Sequence, residues 1–270
     1  MKERIAVLGF GQLGQALARG IQRSKNKIKI IASVRSGSKA EELSKKLNLE
    51  VYSQNKRVVE AADLLVLAVK PKQVAGVLKE VQKSLTKKKL LISVCASITL
   101  DDLRKAAGPD VRLIRAMPNL PSVIGEGICV LTPGESATSN DLESAKEIFG
   151  SMGRVIVLED ESLLDAVTAL SACGPAFIFT IIESLIDAGV KVGLPRDASR
   201  ELVLQTMVGS AKMVQELKAH PAALKDQVTT PAGCTIDGLQ ALEEGKLRAT
   251  LLQAIIAATK RSRELRSYDR

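Results

Sequence analysis

The stretch that decides the fold lies near the start of the chain and reads Arg4-Ile5-Ala6-Val7-Leu8-Gly9-Phe10-Gly11-Gln12-Leu13-Gly14. Its apolar residues 4–8 predict a buried strand, and residues 12–23 have helical spacing. The glycines form a complete G-x-G-x-x-G between the two elements. Gly9 permits a tight turn, Gly11 lets backbone approach a pyrophosphate, and Gly14 lets helix and strand pack closely. The stretch predicts dinucleotide binding rather than a fortuitous glycine turn.

Further apolar runs alternate with helical patterns through the first half of the chain. Strands are predicted at 4–8, 27–33, near Val51, and at 64–69, 90–94, 111–115, 128–131 and 155–158. Helices are predicted between the first of them, at 12–23, 39–47, 55–62 and 71–84. Continuous apolar strands separated by helices are typical of a parallel sheet covered on both faces. The sequence therefore predicts a Rossmann-like, doubly wound α/β sheet.

From about Glu161 onward the strand signals stop. Helices are predicted at 162–170, 175–192, 196–217 and 247–266. We therefore expect a nucleotide-binding domain over residues 1–160 and an all-helical domain over residues 161–270. These helices are unusually apolar and need a partner surface, for which a second subunit and the first domain are both candidates.

The apolar segment 163–182 raises the question of a membrane span. Asp165 and the Gly174-Pro175 break favour buried helices of a soluble core instead. We expect no membrane partner.

Composition excludes several classes of protein. In the 270 residues, 46% hydrophobic and 26% charged content is that of an ordinary globular protein. The net charge of +9 indicates only a mild attraction for anionic small molecules, because few aromatic residues are present for stacking on nucleic acid. We expect no nucleic-acid partner.

The cysteines and the single histidine bear on metal and hydrolase chemistry. Cys95, Cys129, Cys173 and Cys234 are too widely spaced for a zinc pattern or a compact disulfide framework. With no secretory start, reduced thiols and a cytoplasmic location are expected. His220 is the only histidine, so several-imidazole metal sites are excluded and a Ser-His-Asp triad has one candidate. We expect no metal site.

The end of the second predicted strand bears on cofactor choice. Proteins that select NAD usually place an acidic side chain there, whereas this chain has Ser33-Val34-Arg35-Ser36-Gly37-Ser38. Arg35 and its neighbouring hydroxyls suit a 2′-phosphate, which a carboxylate would repel. The stretch favours NADPH, with NADH as the alternative donor; the competing interpretation of Arg35 is an exposed turn residue.

A second informative stretch lies near the C-terminus and reads Asp226-Gln227-Val228-Thr229-Thr230-Pro231-Ala232-Gly233-Cys234-Thr235-Ile236-Asp237-Gly238. A loop of small residues entering a helix exposes backbone N–H groups and hydroxyls, which suits a carboxylate-bearing ligand. An ordinary turn with Thr235 as the helix cap explains the pattern equally well.

Together with shorter motifs, these stretches resemble the Δ1-pyrroline-5-carboxylate reductase family nearly end to end. The shorter motifs are Ala68-Val69-Lys70-Pro71, Arg115-Ala116-Met117-Pro118-Asn119-Leu120-Pro121, Asp165-Ala166-Val167-Thr168-Ala169-Leu170-Ser171, Gly174-Pro175-Ala176 and Ala188-Gly189-Val190. The resemblance implies NADPH-dependent reduction of 1-pyrroline-5-carboxylate to L-proline, the last step of proline biosynthesis. It also implies an intertwined homodimer of the helical half, with a larger assembly of such dimers as a further expectation.

The resemblance also implies site residues. The cofactor site would comprise Gly9, Phe10, Gly11, Gln12, Leu13, Gly14, Ser33, Val34, Arg35, Asn55, Val69, Lys70, Ala96 and Gln227. The imine site would comprise Glu161, Val228, Thr230, Gly233, Cys234 and Thr235, with Thr235 as the catalytic residue near the ring nitrogen.

The chain departs from the family pattern at two places. It has Ser171-Ala172-Cys173 before Gly174 where the family usually has Ser-Gly-Ser, and Pro231-Ala232-Gly233 where the family has Pro-Gly-Gly. Two other functions remain as alternatives. One is a β-hydroxyacid dehydrogenase, for which Lys191 or Lys212 would take the hydroxyl proton; the other is a non-catalytic NADPH-binding protein.

Overall fold

The computed structural model describes residues 4–23 and 28–268, with side chains to Leu265. The strands in this part of the chain are β1 (Arg4–Leu8), β2 (Lys29–Ser33), β3 (Glu50–Tyr52), β4 (Leu64–Leu67), β5 (Leu90–Ser93), β6 (Arg112–Pro118), β7 (Gly127–Pro133) and β8 (Gly153–Val157). The helices are α1 (Gln12–Arg23), α2 (Gly37–Leu47), α3 (Asn55–Glu60), α4 (Val74–Val81), α5 (Leu100–Ala107), α6 (Ser139–Gly150), α7 (Leu164–Val167), α8 (Gly174–Lys191), α9 (Arg196–Leu217), α10 (Pro221–Gln227), α11 (Cys234–Glu244) and α12 (Leu247–Tyr268).

All eight strands form one sheet in the order β3-β2-β1-β4-β5-β6-β7-β8. The strands run parallel from β3 to β6, which confirms the doubly wound prediction. Strand β7 runs antiparallel to β6, so the expectation of a wholly parallel sheet was wrong at this pair. The connection 119–126 is too short for the crossover that a parallel pair requires.

Both faces of the sheet are buried. Ile5 and Val7 of β1 pack on one side with residues of α1 and α6, whereas Ala6 and Leu8 pack on the other side with residues of α3, α4 and α5. The direction of the chain's progress across the sheet reverses between β1 and β4. Ligands of such open sheets bind at the carboxyl ends of the strands beside this reversal.

The chain divides into two compact units, Met1–Cys173 with Ala258–Arg270, and Gly174–Ala257. The domain boundary after residue 160 stays a prediction. Within the first unit, the buried Asp165 carboxylate on α7 accepts a hydrogen bond of 2.8 Å from the Ser262 hydroxyl on α12. The predicted helix 162–170 is instead a 3-10 turn, α7 and a π-helical turn at Thr168–Ala172. The predicted helix 71–84 likewise consists of α4 with a 3-10 turn at each end.

Helix α8 has no buried residue in this chain, and its Phe179 is 54% exposed. The expectation that segment 163–182 forms buried helices of a soluble core therefore stays a prediction for this helix, because a single chain leaves it uncovered. By length and composition alone, the helical segment Glu161–Lys191 is long and apolar enough to cross a membrane. A helix that packs against a partner protein meets the same criterion, because a protein interface and a membrane both accommodate apolar side chains.

Candidate functional site

The turn between β1 and α1 requires glycine at its first position. Gly9 has φ +88°, and a Cβ placed there would lie 2.6 Å from Val69 Cγ1 and 2.7 Å from the Ala68 carbonyl oxygen. The N–H groups of Gly9 and Phe10 donate to the Ser33 carbonyl at 3.2 and 3.0 Å. The turn is therefore fixed against the ends of both β2 and β4.

The other two glycines of the motif differ in their surroundings. A Cβ on Gly14 would lie 2.9 Å from the Gly9 carbonyl oxygen, so this glycine permits the close approach of α1 to the turn. A Cβ on Gly11 would meet nothing within 4 Å. The chain itself does not require glycine at position 11, whereas a ligand approaching the backbone there would require it.

Helix α1 begins at this open position. The Gln15 N–H donates to the Gly11 carbonyl at 3.0 Å, which is the first bond of the helical ladder. The backbone N–H groups of Gln12, Leu13 and Gly14 precede that bond and have no acceptor of their own in the helix. Such donors and the positive end of the helix dipole favour an anion.

A cavity of about 680 Å³ opens beside the turn at the carboxyl ends of β1, β2 and β4. The predicted cofactor residues that line it are Gly9, Phe10, Gly11, Ser33, Val34, Arg35, Asn55, Val69 and Lys70. Its further lining residues are Ser36, Lys39, Ser53, Ala68, Lys72, Gln73, Gly76, Val77 and Glu80. Four cationic side chains and one carboxylate give this lining a net positive charge, which fits the phosphates of a dinucleotide.

Other predicted cofactor residues lie outside this lining. Gln12, Leu13 and Gly14 form the first turn of α1. Ala96 follows β5 and is exposed, next to Ser97, which has φ +65°. Gln227 ends α10, in the other compact unit. The Phe10 ring is buried in the core, so its side chain serves packing.

Lys39 lines the cavity and was not predicted as a site residue, whereas Ser36 is one of the hydroxyls beside Arg35 that were expected to suit a 2′-phosphate. Ser36 caps α2 by accepting a hydrogen bond from the Lys39 N–H at 3.5 Å, and its hydroxyl lies 2.7 Å from that of Ser38. Lys39 supplies a second cation to the lining of the cavity, four residues after Arg35. The sequence signal was available, since a serine followed by helical spacing predicts a cap.

The lining of the cavity also contains a hydrogen-bonded series of three side chains. The Ser33 hydroxyl donates to Asn55 Oδ1 at 2.7 Å, and Asn55 Nδ2 donates to Glu80 Oε2 at 2.8 Å. Ser33 ends β2, Asn55 begins α3, and Glu80 lies on α4. The series ties three elements together around the predicted cofactor residue Asn55.

Glu161 was predicted to bind substrate, and the structure gives its carboxylate partners in its own unit. Its Oε1 lies 2.6 Å from Arg115 Nη1 and accepts the Leu100 N–H at 2.7 Å. Arg115 is buried, so this ion pair compensates a charge within the fold. Arg115 also lies near the buried Cys95 thiol, whose pKa is raised by its burial against the weaker opposing effect of hydrogen bonds and of this cation.

The predicted imine-site loop lies between α10 and α11. The Gly233 N–H donates to the Thr230 carbonyl at 3.1 Å, and a Cβ on Gly233 would clash with Thr230 Oγ1. Val228 is exposed. Ala232 has φ +55°, a left-handed conformation that is unfavourable in free energy for any residue with a Cβ. The departure from glycine at Ala232 therefore falls on a position where the backbone favours glycine.

Helix α11 begins at Cys234, with Gly233 as its cap residue. The alternative in which Thr235 is the cap was therefore wrong, because Thr235 is already within the first turn. The Cys234 and Thr235 N–H groups have no backbone acceptor in the described part of the chain. The loop thus places two free donors and the Thr235 hydroxyl at the positive end of an 11-residue helix.

His220 has a structural role in this unit. It caps α10, and its Nδ1 accepts the Ala222 N–H at 3.2 Å. A nitrogen used in this way does not serve a catalytic triad, because the base of a triad needs both ring nitrogens.

Comparisons with known proteins agree with this arrangement. The family model described as "Pyrroline-5-carboxylate reductase dimerisation" matches residues 161–265, and that described as "NADP oxidoreductase coenzyme F420-dependent" matches residues 4–97. The pyrroline-5-carboxylate reductase of Arabidopsis thaliana is 40% identical over 264 residues, which are 97% of this chain and 95% of the plant protein.

Two solved structures extend this similarity to the fold. The pyrroline-5-carboxylate reductase of Coxiella burnetii aligns with a TM-score of 0.91 and 32% identity over 97% of both chains. The pyrroline carboxylate reductase of Plasmodium falciparum, with NADP bound, aligns with a TM-score of 0.86 and 35% identity over 96% of both chains. The resemblance drawn from the sequence is thereby confirmed, and this chain belongs to the pyrroline-5-carboxylate reductase family.

Proposed function

We propose that this protein reduces 1-pyrroline-5-carboxylate to L-proline with NADPH. The observation that carries the proposal is the positively charged cavity beside the glycine turn, in a chain whose whole length matches this family. The solved relative from Plasmodium falciparum has NADP bound, which supports the same cofactor here. Arg35, Ser36 and Lys39 provide the cations and hydroxyl that suit a 2′-phosphate, so NADPH is preferred to NADH.

The reaction is compatible with a site that has no strong acid or base. Bound NADPH supplies the hydride. The protonated imine already carries the positive charge that the hydride neutralises, so the protein mainly binds and orients the reactants. The use of His220 as a helix cap is consistent with this chemistry.

We assign the imine to the loop before α11. The free N–H groups of Cys234 and Thr235 suit the substrate carboxylate, and the Thr235 hydroxyl suits the ring nitrogen. Val228, Thr230 and Gly233 shape the loop, and Glu161 belongs to the same proposed set. A hydrogen bond from Thr235 in the transition state would contribute on the order of 10²-fold to the rate.

We further propose the assembly and location of the protein. Two copies pair through the helical domain, residues 161–270, and such dimers associate into a larger assembly. The match of residues 161–265 to a dimerisation family and the exposed apolar face of α8 support the pairing. Residues 1–160 form the cofactor domain, and the protein works in the cytoplasm.

The test is oxidation of NADPH by purified protein after addition of pyrroline-5-carboxylate. Activity should be lost in Thr235→Ala far more than NADPH affinity, and Thr235→Ser, which keeps the hydroxyl, should retain most of it. A flat absorbance trace from protein that binds NADPH would contradict the proposed reaction. Reduction of NADP⁺ by a β-hydroxyacid would instead favour the dehydrogenase alternative.

A further inference from the structure

We propose that Glu80 is a positioning residue for the cofactor and acts through Asn55. The inference rests on the proposed function in one respect, which is that the cavity beside the glycine turn binds NADPH. Glu80 lies on α4, is a lining residue of that cavity and belongs to no motif that the sequence indicated. Its carboxylate accepts the Asn55 Nδ2–H at 2.8 Å.

The hydrogen bonds of Asn55 fix which way its amide faces. Its Oδ1 accepts from the Ser33 hydroxyl at 2.7 Å while its Nδ2 donates to Glu80. A carboxylate cannot donate a hydrogen bond, so only the nitrogen of the amide can face Glu80. One N–H and one lone pair of the same amide remain for a ligand in the cavity. Glu80 thereby sets the direction of these two groups before the ligand arrives.

The partner on the other side of Asn55 is rigid. Ser33 is fully buried, and its carbonyl oxygen also accepts the N–H groups of Gly9 and Phe10. The series from Glu80 through Asn55 and Ser33 therefore ends at the glycine turn. A shift of Asn55 would leave its bond to Ser33 unmade or would move the residue that holds the turn.

The charges of the other lining residues show that the negative charge of Glu80 does not by itself favour NADPH binding. The other charged lining residues are Arg35, Lys39, Lys70 and Lys72, all cationic. A carboxylate among them weakens the attraction for a phosphorylated ligand, so its charge alone does not benefit NADPH binding. Its hydrogen bond to Asn55 is the contribution that favours binding.

A second hydrogen bond between the same regions provides a matched control. Glu60, which ends α3, accepts from the Ser84 hydroxyl at 3.2 Å in the turn after α4. This bond also joins α3 to the α4 region, but neither residue lines the cavity. Glu60→Ala therefore tests whether any hydrogen bond between α3 and the α4 region, rather than the one at Asn55, is enough to affect NADPH affinity.

The experiment is titration of the full-length protein with NADPH by calorimetry, for wild type, Glu80→Ala, Glu80→Gln and Glu60→Ala. In Glu80→Ala the Kd for NADPH should rise about threefold to tenfold, the range expected for one hydrogen bond. Glu80→Gln should bind NADPH at least as tightly as wild type does, because its amide oxygen also accepts from Asn55 and the unfavourable negative charge is removed. Glu60→Ala should bind as wild type does.

Asn55→Ala completes the test as a double-mutant cycle. Adding Glu80→Ala to Asn55→Ala should weaken binding no further if Glu80 acts through Asn55. In steady-state kinetics, Glu80→Ala should raise the KM for NADPH while leaving kcat and the KM for the imine unchanged.

Four results would overturn the proposal: wild-type affinity in Glu80→Ala, an equal loss in Glu60→Ala, an equal loss in Glu80→Gln, or additive losses in the cycle. The titration needs no turnover, so NADPH binding without imine reduction would count against the proposed reaction and leave this test intact.

Discussion

The glycine turn allows stability and cofactor binding to be perturbed separately. In Gly14→Ala the new Cβ would lie 2.9 Å from the Gly9 carbonyl oxygen and 3.2 Å from Phe10 Cδ2 and Val7 Cγ1. Overpacking of this kind costs about 1–3 kcal/mol. The higher helix propensity of alanine returns about 1 kcal/mol, so we expect a net loss of up to about 2 kcal/mol.

Gly11→Ala should leave the stability nearly unchanged and weaken NADPH binding instead. Its Cβ would meet no atom within 4 Å, so the free energy of unfolding should change by less than about 1 kcal/mol. The methyl group would nevertheless occupy the place that we propose for the approach of a pyrophosphate to the first turn of α1. Loss of one charged hydrogen bond, about 1.5–3 kcal/mol, predicts a Kd for NADPH about 10- to 100-fold higher.

The assay combines thermal unfolding with NADPH titration, both at one protein concentration because oligomers unfold at concentration-dependent temperatures. Gly14→Ala should lower Tm by several degrees, about 2–4 °C per kcal/mol for a unit of this size. Gly11→Ala should keep its Tm and lose affinity. Wild-type affinity in Gly11→Ala would refute the reasoning that places the pyrophosphate at this turn.

Three further changes test other parts of the molecule. Burial alone would raise the pKa of Asp141, but the hydrogen bonds from Thr138 and the Arg112 guanidinium outweigh burial, so the pKa is lowered. The ionised Asp141 therefore stabilises the fold at neutral pH, and this stabilisation is lost as the pH falls through the lowered pKa. Asp141→Asn should cost about 2 kcal/mol at neutral pH and flatten the acid limb of a stability–pH curve from chemical denaturation. Ala232→Gly should stabilise the protein by up to about 1 kcal/mol in the same assay, because φ is +55° there. Arg35→Gln should raise the KM for NADPH about 10-fold or more and leave that for NADH unchanged, as side-by-side kinetics would measure.

The sheet was predictable because its strands are continuous apolar runs. The runs in β1, β4 and β5 are buried on both faces, so no polar residue interrupts them. Helices α5 and α6 were not predicted, although each begins with a capping box, at Thr99 and Thr138. A threonine followed three residues later by aspartate was the signal that would have located both.

The cavity was partly predictable, for a related reason. The glycine turn and Arg35 adjoin predicted strands, so their positions follow from local pattern. Glu80 adjoins no strand end, and its contact with Asn55 joins residues 25 positions apart through the packing of α3 and α4. The acidic residue that NAD-selective proteins usually place after the second strand is absent here, and the carboxylate in this cavity is that of Glu80 on α4. Only the tertiary structure brings Glu80 and Asn55 together.

The two compact units differ in what stabilises them. The first contains two large clusters of buried apolar residues on the two faces of the sheet. In the second, α8 and α11 bury no residue within the chain, and Ser199 is the one buried residue of α9. Burial of apolar area is the main favourable term in folding, so this unit requires area that a second copy supplies. Dilution should therefore loosen the loop at Thr235 before it affects the glycine turn, and imine reduction should fail at protein concentrations where NADPH binding persists.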